Sequence, residues 1–167
     1  MKHILFVCTG NTCRSSMAEG IFKSELIKNK EIGDKFTVES AGVNAYDGDT
    51  ASANSIKVLK EKYGIDISGH RSQQISDALV DKADLILTLT VGHRDLLIGS
   101  FPKAKGKTYT IKEFVNQNSK GDKKDTGSLD VRDPFGGSLG VYEKCAEEIA
   151  SELKELMEIL SDYFHND

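Results

Sequence analysis

The residues best suited to covalent chemistry lie near the N-terminus, in the segment Cys8-Thr9-Gly10-Asn11-Thr12-Cys13-Arg14-Ser15. A cysteine thiolate is a strong nucleophile, and arginine presents a planar pair of donors that matches two oxygens of a phosphate group. Five residues separate Cys8 from Arg14, enough chain to wrap backbone N–H groups around a tetrahedral oxyanion. The segment therefore predicts a phosphate-binding loop in which Cys8 attacks and Arg14 holds the phosphate.

The elements on either side of this loop are a strand and a helix. Residues 4–7 form a short apolar run typical of a buried strand, and apolar residues recur at spacings of three and four after Ser15. A helix N-terminus behind the loop favours a bound anion and the thiolate form of Cys8. Gly10 permits a positive φ and Asn11 tolerates one, so the loop can turn its amides inward. Most lone cysteines are simply small buried hydrophobes, but the position between strand and helix favours the functional interpretation.

Strand and helix patterns then alternate along the chain. Further strands are predicted at 36–39, 83–90 and 107–111, and further helices at 50–63 and 141–160. Because parallel strands need crossover connections, this order predicts an α/β fold, a single doubly wound domain over 1–167 with a four-stranded parallel sheet flanked by helices. Ser16 and Glu19 have the spacing of a helix capping box. Residues 116–130 are polar and aperiodic, which predicts a surface loop within the domain.

Composition narrows the classes of protein. The net charge of −4 and pI near 5.6 argue against nucleic acid or an anionic membrane as partner, since both favour basic surfaces. No apolar run approaches the length of a membrane span or a signal peptide. Three cysteines do not make a disulfide framework, so we expect a cytoplasmic protein. The histidines and cysteines lack metal-ligand spacing, and no cofactor is predicted.

The loop resembles the C-x-G-N-x-C-R-S signature of the low-molecular-weight protein tyrosine phosphatase family. The resemblance covers nearly the whole chain, and continues in order through Ser40-Ala41-Gly42, His70-Arg71-Ser72 and Asp133-Pro134. It implies the flavodoxin-like fold of that family and a phosphocysteine intermediate. One departure is Ser16, where the family usually has proline; serine can cap a helix there, so little functional cost is expected.

The resemblance also implies an acid. Asp133, restrained by Pro134, would protonate the leaving group and then activate a water molecule for hydrolysis of the phosphocysteine. The residues alone leave this open, because Asp125 and Asp130 lie nearby and Asp-Pro also suits an ordinary turn. The residues implied to contact substrate are Thr9, Gly10, Asn11, Thr12, Cys13, Ser15 and Phe135. The residues implied to support the loop are Asn11, Ser15, Ser40 and His70, although His70 also suits a plain surface turn beside Gly69.

Two positions bear on the substrate. Most tyrosine-directed members have a bulky aliphatic residue in place of Thr12 and a tyrosine in place of Phe135. The loop and the segment Asp133-Pro134-Phe135-Gly136-Gly137 resemble the bacterial protein-arginine-phosphatase branch instead. The hydroxyl of Thr12 offers a hydrogen-bond partner to a guanidinium, whereas an aryl ring gains nothing from it. Phosphoarginine on proteins is therefore the predicted substrate, with phosphotyrosine as the alternative.

Two more distant functions remain. Thioredoxin-coupled arsenate reductases share the loop but need two further downstream cysteines, and only Cys145 follows here. A flavodoxin-like binding module could hold a nucleotide or flavin on similar amides, but it would not need Cys8 followed by Arg14. Cys13 has two interpretations, either a partner that forms a disulfide with an oxidised Cys8 or a small packing residue.

Overall fold

A parallel sheet forms the centre of the computed structural model, which describes residues 1–121 and 127–165. The strands pair in the order β2-β1-β3-β4, and each neighbouring pair is parallel. The predicted four-stranded parallel sheet flanked by helices is confirmed. The strands are β1 (Lys2–Cys8), β2 (Phe36–Gly42), β3 (Leu85–Thr88) and β4 (Thr108–Thr110).

Helices connect the strands and cover both faces of the sheet. Those described are α1 (Arg14–Lys28), α2 (Lys30–Gly33), α3 (Ala53–Tyr63), α4 (Asp77–Lys82), α5 (Val91–Ser100), α6 (Ile111–Asn118) and α7 (Leu139–Tyr163), with a 3-10 turn at Pro102–Ala104. The helix predicted at 50–63 begins later than expected because the Ser52 hydroxyl caps it, accepting from Ser55 N, and it ends at Gly64 with φ 65° as predicted. None of these described helices is long and apolar enough to cross a bilayer.

Alternating side chains of β1 divide the core in two. Ile4 and Phe6 face α1 and α7, while Leu5 and Val7 face the opposite layer formed by α4 and α5. All four side chains are fully buried. A central parallel strand buried on both faces explains why the sequence of β1 is continuously apolar rather than alternating. Burial on both sides fixes the end of β1, and with it the start of the loop.

The expected capping box of α1 is wrong. The helix begins at Arg14, and its N-cap residue Cys13 makes no capping bond through its side chain. The Ser16 hydroxyl donates to the Cys13 carbonyl at 2.8 Å, and Glu19 accepts from Ser40 at 2.8 Å. Helix α1 therefore starts earlier than a capping box at Ser16 requires, and its first N–H groups remain available to an anion.

Two further boundaries differ from the prediction. The strand predicted at 83–90 is shortened to β3 because Ala83 ends α4 and Thr90 already caps α5. The polar loop predicted at 116–130 begins later, because α6 continues to Asn118. Residues 122–126 of that loop, Asp125 among them, lie outside the described residues.

Candidate active site

The segment from Cys8 to Ser15, called the phosphate loop below, leaves the carboxyl end of β1 at the edge where β2 and β3 also end. Cys8 pairs with Gly42, and Val7 pairs with Thr88. The segments that follow all three strands therefore surround the loop. A side chain at Gly42 would overlap the carbonyl oxygen of Thr9, so only glycine allows β2 to pass this close.

Asn11 sets the shape of the phosphate loop. It adopts φ 58°, in the left-handed region that asparagine tolerates, whereas Gly10, which permits a positive φ, does not adopt one. Its buried amide nitrogen donates to the hydroxyls of Ser15 and Ser40 at 2.8 Å each. Its side-chain oxygen accepts from the backbone of Gln73 at 3.0 Å, and its carbonyl lies 2.7 Å from His70 Nε2. The structure thus brings together the residues that the sequence suggested as supports.

Cys8 lies at the base of the loop with 2% of its surface exposed. Its Sγ is 2.9 Å from the Ser15 hydroxyl, which already accepts a hydrogen bond from Asn11. The Ser15 hydroxyl can donate its one proton either to the sulfur at 2.9 Å or to the Ala41 carbonyl at 3.4 Å, and the shorter contact favours donation to the sulfur, which would stabilise a thiolate. A relay of donors runs from Asn11 through Ser15 to the nucleophile.

The backbone amides of residues 9 to 13 have no acceptor within the described part of the chain. Free N–H groups in a loop at a helix N-terminus are the usual ligands of a phosphate group in proteins. The loop can therefore bind an oxyanion with its backbone, beside the sulfur of Cys8.

Arg14 is held under the loop, 4% exposed. Its Nη1 donates to the Val131 carbonyl at 3.0 Å and its Nη2 donates to the Thr9 hydroxyl at 3.4 Å. The same Nη2 lies 3.6 Å from a carboxylate oxygen of Asp133. The guanidinium predicted to bind phosphate and the carboxylate of the predicted acid therefore lie next to each other.

The two described acidic residues before α7 have different surroundings. The Asp130 carboxylate accepts from Val91 N at 2.7 Å and so caps the start of α5. Asp133 is half exposed, faces Arg14, and accepts from Phe135 N at 3.1 Å. Since a general acid must reach the substrate, this arrangement favours Asp133 over Asp130; Asp125 lies outside the described residues.

The segment that carries Asp133 is anchored two residues earlier. Val131 N donates to Leu89 O at 2.7 Å, directly after β3, and the Val131 carbonyl accepts from Arg14. Lys112, paired with Glu148, donates to the Asp130 carbonyl at 3.1 Å. Pro134 is buried, while Phe135 beyond it is 79% exposed.

All three cysteines are free thiols. Cys13 Sγ lies 3.4 Å from both the Ser52 and the Tyr142 hydroxyls, and burial raises the pKa of Tyr142 to about 12. Cys145 lies on the buried face of α7, where burial raises its pKa to about 12 and its thiol donates to the Arg132 carbonyl at 3.8 Å. A disulfide between Cys8 and Cys13 stays a prediction.

Sequence reasoning missed several residues that touch the loop, chiefly His93, Gln73, Ser52 and Tyr142. His93 Nε2 lies 2.8 Å from the Thr9 hydroxyl. One signal could have found it: His93 follows a strand closely, and parallel strands end at a common edge. Among the four histidines, the sequence predicted a role in the site for His70 alone. Within the described ranges, no cluster of three or more potential metal ligands occurs.

A cavity between two helices does not coincide with this chemistry. It has a volume of about 690 Å³ and lies between α6 and α7, lined in part by Val115, Glu155 and Tyr163. Cys8, Arg14 and Asp133 do not line it. A phosphate loop is a shallow amide cradle rather than a deep apolar pocket, so we place the site by its chemistry.

Known proteins are similar to this chain over nearly its whole length. A curated protein-arginine-phosphatase from Geobacillus stearothermophilus is 41% identical over 157 residues, which cover 94% of this chain and 95% of the relative. The structure of the YwlE arginine phosphatase from Geobacillus stearothermophilus matches with a TM-score of 0.83 at 39% identity, covering 98% and 95% of the two chains. A low molecular weight protein tyrosine phosphatase from T. tengcongensis matches with a TM-score of 0.81 at 42% identity, covering 95% and 99%.

The family model described as low molecular weight phosphotyrosine protein phosphatase matches residues 3–164. The match spans the phosphate loop, the supports around Asn11 and the segment of Asp133. This chain is a protein phosphatase that belongs to the low molecular weight phosphotyrosine protein phosphatase family.

Proposed function

We propose that the chain hydrolyses phosphoarginine on proteins through a phosphocysteine on Cys8. The observation that carries the choice of substrate is the position of Thr12. Its side chain is half-buried in the phosphate loop, and within the described chain its hydroxyl contacts only the Cys13 sulfur, at 3.8 Å. At that distance the hydroxyl remains available to an N–H group of a substrate guanidinium.

The first half of the reaction transfers phosphate to the enzyme. Arg14 and the free loop amides hold the three phosphoryl oxygens while the Cys8 thiolate attacks phosphorus and the P–N bond breaks. The leaving guanidine nitrogen takes a proton from the Asp133 carboxyl group. Because an unprotonated guanidine is a very poor leaving group, this proton transfer matters more than it would for an aryl phosphate.

The second half releases phosphate. The Asp133 carboxylate takes a proton from a water molecule, which attacks phosphorus as the S–P bond breaks. Cys8 returns to the thiolate, stabilised by the Ser15 hydroxyl at 2.9 Å, and inorganic phosphate departs. These two steps need no metal ion or organic cofactor.

Two exposed rings are proposed to contact the protein substrate. Phe135 and Tyr46 are each 79% exposed; Phe135 lies two residues after Asp133, and Tyr46 lies in the loop that follows β2. An aromatic face can stack on a guanidinium or on an aryl ring. Phe135 would therefore hold the substrate without selecting it, and the selection falls to Thr12.

Phosphotyrosine is the second candidate, because a tyrosine phosphatase is as similar to this chain as the arginine phosphatases are. Arsenate reduction is disfavoured, since the raised pKa and buried position of Cys145 make it a poor disulfide relay. Three free cysteines, one of them the nucleophile, suit the reducing cytoplasm, where we place the protein.

The test compares two peptides that differ only in carrying phosphoarginine or phosphotyrosine. The wild type should prefer phosphoarginine in kcat/KM. Thr12→Val keeps the size and β-branch and removes the hydroxyl, so it should lower phosphoarginine turnover about ten- to hundred-fold, the cost of a hydrogen bond to a charged group. Thr12→Ile should in addition raise phosphotyrosine turnover, because it adds apolar contact for the ring. Cys8→Ser measures contaminating activity.

Two outcomes would contradict the choice of substrate. One is a wild type that prefers phosphotyrosine. The other is a parallel fall on both peptides in Thr12→Val, since a residue that only packs would affect both substrates equally.

A further inference from the structure

The first turn of α5 lies against the phosphate loop. Because Val7 and Thr88 pair in the sheet, the residues after β3 reach the loop that follows β1. The Thr90 hydroxyl caps α5 by accepting from His93 N at 3.1 Å, which fixes the backbone of the histidine. His93 is 7% exposed and its imidazole points at the phosphate loop, with Nε2 2.8 Å from the Thr9 hydroxyl.

His93 and Arg14 bind the same hydroxyl. A guanidinium can only donate, so the Thr9 oxygen accepts from Arg14 Nη2 at 3.4 Å and keeps its own proton and a second lone pair, either of which can bond to His93 Nε2 at 2.8 Å. Within the described residues, Thr9 is otherwise bonded only through its carbonyl, to Asn44 N at 2.9 Å. Without the imidazole, the Thr9 hydroxyl would be held only by its long hydrogen bond from Arg14.

The imidazole of His93 is suited to this position because it is neutral. Burial, with the nearby charge of Arg14, lowers the pKa of His93 to about 4. Its other nitrogen, Nδ1, is buried and has no hydrogen-bond partner among the described residues. A buried polar atom without a partner costs free energy, so packing alone does not explain a histidine here.

We propose that His93 is a positioning residue of the phosphatase reaction, which orients the Arg14 guanidinium through the Thr9 hydroxyl. The hydrogen bond from Nη1 to Val131 and the looser 3.6 Å contact of Nη2 with Asp133 leave the plane of the guanidinium incompletely fixed. A second fixed acceptor at Thr9 sets the plane of the fork that must meet two phosphate oxygens. His93 itself touches neither substrate nor nucleophile.

A double-mutant cycle tests the relay. His93→Leu removes the imidazole bond, Thr9→Val removes the hydroxyl, and the double variant removes both. Activity is measured as kcat/KM on para-nitrophenyl phosphate, and oxyanion binding as the inhibition constant of vanadate. Both probes depend on the phosphatase site but not on the protein substrate, so this test is independent of the choice between phosphoarginine and phosphotyrosine.

Each single variant should lose about ten-fold in kcat/KM and in vanadate affinity. The double variant should be no less active than the less active of the two single variants. His93→Gln, whose amide can reach the place of Nε2, should recover most of the loss. Thermal unfolding checks that each variant is folded. If His93→Leu does not fold, the test uses His93→Gln and His93→Asn instead, because the asparagine side chain is too short to reach Thr9.

The proposal is overturned if the two losses multiply in the double variant, because the residues would then act independently. It is also overturned if a folded His93→Leu keeps wild-type turnover and vanadate affinity, or if His93→Gln is no better than His93→Asn.

Discussion

Asn11 offers the sharpest test of how the phosphate loop is held. The residue is fully buried, its side chain makes three hydrogen bonds, and its backbone is in the left-handed region at φ 58°. Two substitutions separate these features. Asn11→Gly removes the side chain, and glycine adopts the left-handed backbone conformation without strain. Asn11→Ala removes the same hydrogen bonds and adds backbone strain.

The expected size follows from the contacts. Three buried hydrogen bonds at about 1 kcal/mol each contribute about 3 kcal/mol to the free energy of unfolding. Alanine adds about 1 to 2 kcal/mol of strain in the left-handed region, and the greater freedom of glycine in the unfolded chain offsets part of that difference. We therefore expect both variants to lose about 3 to 5 kcal/mol, with alanine about 1 kcal/mol worse.

Urea unfolding measures these losses, and vanadate inhibition reports on the loop in the folded protein. Vanadate affinity should fall in both variants, since Asn11 also orients Ser15 beside Cys8. Losses below about 1 kcal/mol in both variants would refute the view that this network holds the loop. A glycine variant less stable than the alanine variant would refute the argument from backbone strain.

Three further predictions concern other parts of the site. Asp133→Asn should slow turnover most for substrates with poor leaving groups and least for para-nitrophenyl phosphate. Asp130→Asn, at a residue that caps α5, should affect the two kinds of substrate equally, and the reverse pattern would make Asp130 the acid. After mild peroxide, mass spectrometry should find Cys8 bridged to Cys13 and a thiol should restore activity, whereas equal recovery in Cys13→Ser would leave Cys13 a packing residue. Because the folded-state pKa of His93 is lowered from 6.5 to about 4, the unfolded chain binds the extra proton between those values. The free energy of unfolding should therefore fall as the pH drops from 6.5 to 4, and it should fall by about 3 kcal/mol more in wild type than in His93→Gln. Urea unfolding at several pH values measures this, and the same pH dependence in both proteins would contradict the prediction.

The phosphate loop was predictable because its chemistry is local. Cys8 and Arg14 lie within one short segment between a strand, visible as a continuous apolar run, and a helix, visible from apolar residues at spacings of three and four. The long helix α7 was likewise visible from its apolar stripe. The short helices α2, α4, α5 and α6 were not predicted, since a few turns carry too little periodicity to stand out.

The tertiary structure was needed to decide which of two chemically similar residues, close together in the sequence, has a given role. Gly10 and Asn11 are both permissive residues, and only the fold shows that Asn11 takes the left-handed conformation. Asp130 and Asp133 are the same residue type, and only their surroundings differ. The Asp130 carboxylate accepts a hydrogen bond from Val91 N, whereas the Asp133 carboxylate faces Arg14. The position of His93 just after a strand was a usable signal, but only the strand order shows that β3 lies beside β1 and so brings His93 to the loop.

The hydrogen bond from Arg14 to Val131 joins positions 117 residues apart, and the contact of Cys13 with Tyr142 spans 129. Proteins are synthesised from the N-terminus, and domains generally fold as units. Cys8 and Arg14 therefore emerge well before Val131, whose carbonyl anchors the guanidinium, and before Asp133, which faces it. A nascent chain that has emerged only as far as α6 carries the thiol of Cys8 without the contacts that hold Arg14 in place.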